Sequence, residues 1–233
     1  MTINQIRNRI FLFALAVIIQ VIAPSAFAMK YQTFTLPKLV EKAEVIIDCT
    51  VTQTEPILRV SVNSAFKGEA KGEIEVVDQN IWLQDRPPLI VKQRVILFLD
   101  SKGKSYQFAA LGRQVLWPKR EVQWPFTDGC IASHDETASV ISILIKISHA
   151  QKAERDDLIR QLLKSTISLG RLQGIEVWSS LAADEKHAFL DDVRTLDSGN
   201  SSDEVKKAAT TAISKLATTS PRPKDVDASQ KSK

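Results

Sequence analysis

Residues 44–54 read EVIIDCTVTQT and decide the fold of the chain. Isoleucine, valine and threonine dominate this stretch, and β-branched side chains favour strands. A second run, VILFL at residues 95–99, is continuously apolar and predicts a strand that is buried on both faces. No long helical pattern for parallel crossovers accompanies these runs, which favours an antiparallel barrel or sandwich.

Further elements are predicted on both sides of these two runs. Leu58, Val60, Val62 and Phe66 are expected to share one face of a strand, because strand side chains alternate with a period of two. A short amphipathic helix is expected at 36–43. The remaining predicted strands cover 74–77, 106–111, 114–117 and 122–126.

After about residue 133 the sequence pattern changes from strands to helices. Residues 138–147 are ambiguous, since their alternating isoleucines fit a strand while other apolar positions fit a helix. Ser133 and Glu136 stand at capping-box spacing just before them, which favours the helix. Other helices are predicted at 152–164, 183–195 and 202–217, and the tail 218–233 is expected to be disordered.

Residues 1–28 have the pattern of a secretory signal peptide. Arg7 and Arg9 precede an apolar run at 10–19, and Ala26-Phe27-Ala28 fits a cleavage site. An uncleaved membrane anchor would need about 20 apolar residues, and this run breaks after ten. We therefore expect cleavage after Ala28 and an exported, periplasmic or extracellular chain with no transmembrane span.

The charge balance disfavours a nucleic-acid partner. The 233 residues are 44% hydrophobic and 25% charged, with a formal net charge of +4 that falls to +2 once residues 1–28 are removed. Residues 30–131 carry 14 Lys and Arg against 12 Asp and Glu, without a basic stripe. The export signal points the same way.

Two cysteines, Cys49 and Cys130, lie in the exported part, where disulfides persist. They can form one bridge. Cys49 can equally be a buried small hydrophobic residue, since Ile47 and Val51 flank it in the strand run. Neither cysteine has a partner at metal or redox spacing.

The barrel half contains the motifs LVEKAEVII at 39–47, Val60-x-Val62-x-x-x-Phe66-Lys67-Gly68, Val76-Val77 and Val95-x-Leu97-Phe98-Leu99. Together they resemble a group of exported bacterial proteins that are similar to the netrin-like domain, the OB-type barrel that also forms tissue inhibitors of metalloproteinases. The resemblance covers roughly residues 36–131. Residues 202–216 are similar to the second helix of a HEAT-type repeat, with 183–195 as a first helix. With the helical pattern after residue 133, the sequence predicts an α+β fold in which an N-terminal antiparallel OB-like β-barrel at 29–132 precedes an α-helical region at 133–217.

The inhibitory activity of those relatives does not transfer. It depends on an N-terminal cysteine, whereas the expected mature chain begins with Met29 and Lys30. The dense cysteine framework is missing too. What the resemblance implies is a barrel that serves as a protein-binding module.

No recognisable catalytic or metal-binding motif is present. His134, His149 and His187 have no metal-site spacing and are expected to be solvated surface residues. Nucleotide-binding loops and the GxSxG motif are absent as well. The sequence therefore predicts no catalytic residue, no metal and no cofactor.

Three tryptophans form the predicted binding surface. Trp117 and Trp124 flank a short connection and are expected to face each other across a hairpin, with Trp82 on another loop. The alternative is that they cap the barrel core. The sequence thus predicts an exported, non-enzymatic interaction or ligand-binding module for an envelope or extracellular protein or glycan. The alternative function is an envelope hydrolase or accessory enzyme whose site is assembled from scattered residues.

Overall fold

The structure is a computed structural model that describes residues 34–77, 89–109, 115–116 and 132–219, with the backbone alone at 115–116 and 219. Its first half contains a closed barrel of five strands, and a sixth short strand extends the sheet. The strands are β1 (Val45–Gln53), β2 (Leu58–Lys67), β3 (Glu73–Val77), β4 (Arg94–Lys102), β5 (Ser105–Phe108) and β6 (Val115–Leu116).

The barrel has the strand order of an OB-fold. Strands follow one another around it as β1-β2-β3-β5-β4, and β4 pairs with β1 to close the ring. Four of these pairings are antiparallel, and the pairing of β3 with β5 is parallel. The α+β fold with an OB-like barrel ahead of a helical region is confirmed.

Strands β1 and β4 are buried on both faces, as the continuous apolar run predicts for β4. Val45, Ile47 and Cys49 point into the barrel, where β4 contributes alternate side chains to the same cluster. Ile46 of β1 instead packs outside the barrel against the helices. Every residue of the VILFL run is at most 1% exposed.

The prediction that Phe66 shares a face with Val60 and Val62 is wrong, because β2 contains a bulge. Asp48 pairs with Ser64 while the next residue of β1 pairs with Val62, so one residue of β2 is extra at this point. After the bulge, the side chains of β2 that would have faced the barrel interior face outwards instead. Phe66 consequently packs against the outer cluster, whereas Val62 packs inside the barrel.

Helices form the rest of the described chain. One short helix precedes the barrel, and six follow it within residues 132–219, with a 3-10 turn at His187–Phe189. The helices are α1 (Leu36–Lys42), α2 (His134–His149), α3 (Lys152–Leu163), α4 (Ser168–Ser180), α5 (Ala183–Lys186), α6 (Leu190–Ser198) and α7 (Asp203–Thr219).

The helix predicted over 138–147 is confirmed, and its start is a complete capping box. The Ser133 side chain accepts from the Glu136 amide, and the Glu136 side chain accepts from the Ser133 amide. The single helix expected at 183–195 is instead divided. The indole of Trp178 donates to the Lys186 carbonyl at 2.9 Å, which removes that carbonyl from a regular helical ladder.

The barrel and the helices share one core. Its barrel side consists of Ile46, Ile96 and Phe98, on the outer faces of β1 and β4, and its helical side includes Ile141 and Trp178. The helical region therefore packs directly on the barrel. Among the described residues, no helix combines the length and the apolar character that a membrane crossing needs.

Candidate functional site

A buried carboxylate lies where the barrel meets the helices. Asp48 is in the middle of β1, and its side chain is on the outer face, between Ile46 and Thr50. It is only 1% exposed. A buried charge needs a partner, because an unpaired ion in a protein interior is costly.

Arg94 supplies that partner from the first residue of β4. Its Nη2 lies 2.6 Å from Oδ2 of Asp48, and its Nε lies 3.0 Å from Oδ1. This is the forked geometry in which arginine binds carboxylates most strongly. The Arg94 side chain is itself 54% exposed, so the pair reaches from the barrel surface into the interior.

The carboxyl group of Asp48 stays ionised at neutral pH. Burial raises its pKa, but the hydrogen bond from Arg94 and the charges of His134 and Arg94 lower it by more. The net result is a pKa below the ordinary aspartate value. The hydrogen bond to Asp48 likewise raises the pKa of Arg94.

His134 contacts the same carboxylate from the first residue of α2. Its Nε2 lies 3.1 Å from Oδ1 of Asp48, and its Nδ1 lies 3.6 Å from a carboxyl oxygen of Asp135. Among the described residues, neither ring nitrogen has a hydrogen bond of good geometry, so these contacts depend on charge. The side chain of His134 is 16% exposed, which makes the expectation of a solvated surface residue wrong for it. His149 and His187 are exposed as expected.

The bulge in β2 brings a fourth polar side chain to this cluster. Asn63 is the extra residue of the bulge, and its Nδ2 lies 3.4 Å from Oδ1 of Asp48 and 3.2 Å from Oγ1 of Thr50. We call Asp48, Asn63, Arg94 and His134 the polar junction. Its one sequence signal is the acid within the apolar run at 44–54, whose partners come from distant positions.

Cys49, the neighbour of Asp48 in sequence, does not add a nucleophile to the polar junction. Its side chain points into the barrel, and its Sγ lies 3.7 Å from the Val95 carbonyl oxygen. Burial, with a smaller contribution from Asp48, raises the pKa of the Cys49 thiol to about 12, so it is not a thiolate nucleophile. In the described part of the chain, the junction groups are directed at one another.

The predicted disulfide and tryptophan surface fall largely outside the described residues. Cys49 has no disulfide partner among the described residues, and Cys130 lies outside the described ranges. Trp82, Trp117 and Trp124 also lie outside them. The bridge and the aromatic surface therefore stay predictions.

One end of the barrel exposes large aliphatic side chains. Ile57, Ile90 and Val91 are 41%, 57% and 46% exposed. Ile57 lies between β1 and β2, and the other two lie just before β4. We call these three residues the aliphatic end.

A groove lies between α4 and α7. It has a volume of about 490 Å³, with Leu172 and Ile175 of α4 and Ala208 and Ala212 of α7 among its lining residues. Its charged lining consists of two acids and two bases, Glu176, Glu204, Lys207 and Lys215.

The residues that the structure describes contain no group of three or more side chains placed to hold a metal ion. Comparisons with known proteins add no functional residue to this description. No protein-family model, no curated protein and no solved structure matches the chain.

Proposed function

We propose that this protein is an exported, non-enzymatic interaction module that binds a partner protein through the aliphatic end of its barrel. The exposure of Ile57, Ile90 and Val91 is the observation that carries the proposal. Large aliphatic side chains that are grouped on a surface mark interaction sites more often than isolated ones do.

Backbone hydrogen bonds place these three residues at the same end of the barrel. The amide of Val51 donates to the Gln93 carbonyl at 2.9 Å, and the amide of Lys92 donates to the Val51 carbonyl at 2.7 Å. The turn that contains Ile90 and Val91 is thus attached to the last part of β1. Ile57 lies in the connection that leaves β1 at this end.

The chemistry of these side chains favours a protein partner. Aliphatic groups gain free energy by burial against other apolar groups, whereas sugars and nucleic-acid bases are usually bound by aromatic stacking and polar contacts. The small net charge of residues 30–131 also gives no electrostatic attraction for a polyanion.

Two further parts of the proposal rest on sequence patterns. The signal-peptide pattern at 1–28 supports export. The resemblance of the barrel motifs to netrin-like domains supports a protein-binding role, and the OB-like strand order is compatible with it.

The test uses the mature chain, residues 29–233, with the substitutions I57S, I90S and V91S combined. A matched control, K102S with K104S, changes exposed residues around the β4–β5 turn. A partner is captured from the periplasmic or extracellular fraction and then purified. Its affinity for the wild type and both variants is measured by calorimetry.

We expect the triple variant to weaken binding at least tenfold and the control to leave binding unchanged. Circular dichroism and urea unfolding verify that both variants fold. Equal affinity of the wild type and the folded triple variant would reject the aliphatic end as the site. Binding of the wild type to phospholipid vesicles through the same residues, without a protein partner, would replace the proposal with membrane association.

A further inference from the structure

The first turn of α2 is attached to the barrel through one ionisable contact. His134 begins α2, and its Nε2 lies 3.1 Å from the buried Asp48 carboxylate. The imidazole ring is the side chain whose charge ordinarily changes between pH 5 and 8. The contact therefore joins a carboxylate that is ionised at neutral pH to a side chain of the type whose charge ordinarily changes in this range.

Charged groups of both signs surround His134. Asp48 faces it from β1, and Asp135 and Glu136 belong to its own helix. Arg94, from β4, and the positive end of the α2 helix dipole add positive charge. From β2, the junction receives the neutral amide of Asn63.

Two carboxylates lie close to the ring of His134, at 3.1 and 3.6 Å from its nitrogens. Coulomb energies fall with separation, so a change in the charge of the ring acts most strongly on these contacts. The contact with Asp48 is the one that joins the helix to the barrel.

We propose that His134 is a pH-sensitive latch that holds the first turn of α2 against β1 when its ring is protonated. Loss of the proton removes the charge–charge attraction to Asp48 and weakens the attachment of this turn to the barrel. The rest of α2 stays in place, because Val140, Ile141 and Leu144 are buried in the shared core. The pH response is thus confined to the start of the helix.

The turn that responds has its own internal bonds. Thr137 is buried, and its hydroxyl donates to the Ser133 carbonyl at 2.8 Å. Its amide donates to the same carbonyl at 2.9 Å. Opening of the turn would expose these bonds to solvent, so amide hydrogen exchange at 136–138 reports the state of the latch.

The test compares the mature wild type with His134→Gln at pH 5 and pH 8.5. Glutamine is polar and lacks a titratable proton. His149→Gln and His187→Gln are matched controls, because both histidines are exposed and lie far from Asp48 in the sequence. Amide exchange is measured by NMR and corrected for the intrinsic pH dependence of exchange.

We expect the opening equilibrium of 136–138 to be three- to tenfold more favourable at pH 8.5 than at pH 5 in the wild type. Both controls should retain this difference, and His134→Gln should abolish it. A wild type without the difference, or a His134→Gln variant that keeps it, would overturn the latch.

A second measurement applies if His134→Gln does not fold. In the wild type, the ring resonances of His134 and the amide resonances of 134–138 should titrate with one common midpoint. Amide shifts that do not follow the His134 ring would also overturn the proposal.

Discussion

The guanidinium of Arg94 forms a bidentate ion pair with the carboxylate of Asp48, with Nη2 2.6 Å from Oδ2 and Nε 3.0 Å from Oδ1. The two residues are on neighbouring strands, β1 and β4, whose pairing closes the barrel. The carboxylate is 1% exposed, whereas the guanidinium is half exposed. The contact therefore compensates a buried charge at the seam of the barrel.

Replacing Arg94 by methionine should lower the free energy of unfolding by about 2 kcal/mol. Breaking a fully buried ion pair costs about 3–5 kcal/mol, and solvent around Arg94 reduces this figure. Urea unfolding at pH 7 measures the loss. Arg94→Lys is the matched control, because lysine keeps the charge but cannot form the fork, and we expect about half the effect. A methionine variant as stable as the wild type would show that Asp48 does not need its partner.

The polar junction also predicts how the free energy of unfolding changes as the pH falls. The pKa of Asp48 is lowered in the folded chain, so its stabilising effect is complete above the unfolded aspartate value of about 3.9. This effect disappears as the pH falls through the folded value. We therefore expect the stability difference between the wild type and Asp48→Asn to be largest near pH 6 and to shrink towards pH 2.5.

Urea unfolding at several pH values between 2.5 and 6 checks this expectation. Glu136→Gln serves as the control, because the pKa of Glu136 is also lowered, by its capping hydrogen bonds with Ser133. Its effect should be smaller, since Glu136 is less buried than Asp48. A constant difference between the wild type and Asp48→Asn across the range would contradict a depressed pKa.

Much of the barrel is predictable from sequence because its signals are local. The β-branched run at 44–54 gives β1 to within one residue at each end, and the apolar run at 95–99 gives the buried part of β4, which continues to Lys102. The capping box of Ser133 and Glu136 likewise gives the start of α2. Each of these features needs only neighbouring residues, so periodicity and capping rules suffice.

Features that depend on contacts between distant residues cannot be predicted from local sequence patterns. Helix α4 is absent from the prediction, since it is buried on several sides and has no single apolar face. The polar junction is also absent from the prediction, for a related reason. Asp48, Arg94 and His134 are far apart in the chain, and the bulge that brings Asn63 to them follows from the strand register.

The segment Phe66-Lys67-Gly68 connects α1 to the barrel. The ammonium of Lys67 donates to the carbonyls of Val40 and Glu41, at the end of α1. Gly68 has a φ of 71°, and a Cβ there would lie 2.6 Å from the Glu44 carbonyl oxygen. The contacts of Lys67 and the close approach at Gly68 therefore give both residues a structural role.

Gly68→Ala should be markedly more destabilising than Gly72→Ala. Both glycines have φ near 70°, which costs an alanine about 1 kcal/mol, but a Cβ at Gly72 meets no atom within 4 Å. The clash at Gly68 is with backbone, which cannot move aside easily. We expect a loss of about 1 kcal/mol for Gly72→Ala and about 3 kcal/mol for Gly68→Ala by urea unfolding. Equal losses would mean that conformational strain, and not the close approach to Glu44, requires this glycine.

Two glycines of α4 can be compared, because an added Cβ would meet backbone atoms at Gly174 but the side chain of Ser165 at Gly170. A Cβ at Gly174 would lie 2.9 Å from the Leu163 amide nitrogen, whereas one at Gly170 would lie 2.6 Å from the Ser165 hydroxyl oxygen and 2.8 Å from the Ser165 Cβ. Alanine favours a helix interior by about 1 kcal/mol over glycine. Rotation of the Ser165 side chain moves its hydroxyl but not its Cβ, so Gly170→Ala should lose about 1 kcal/mol in thermal unfolding. Gly174→Ala must separate α3 from α4 and should lose about 2 kcal/mol. A stabilising Gly174→Ala would disprove this close packing.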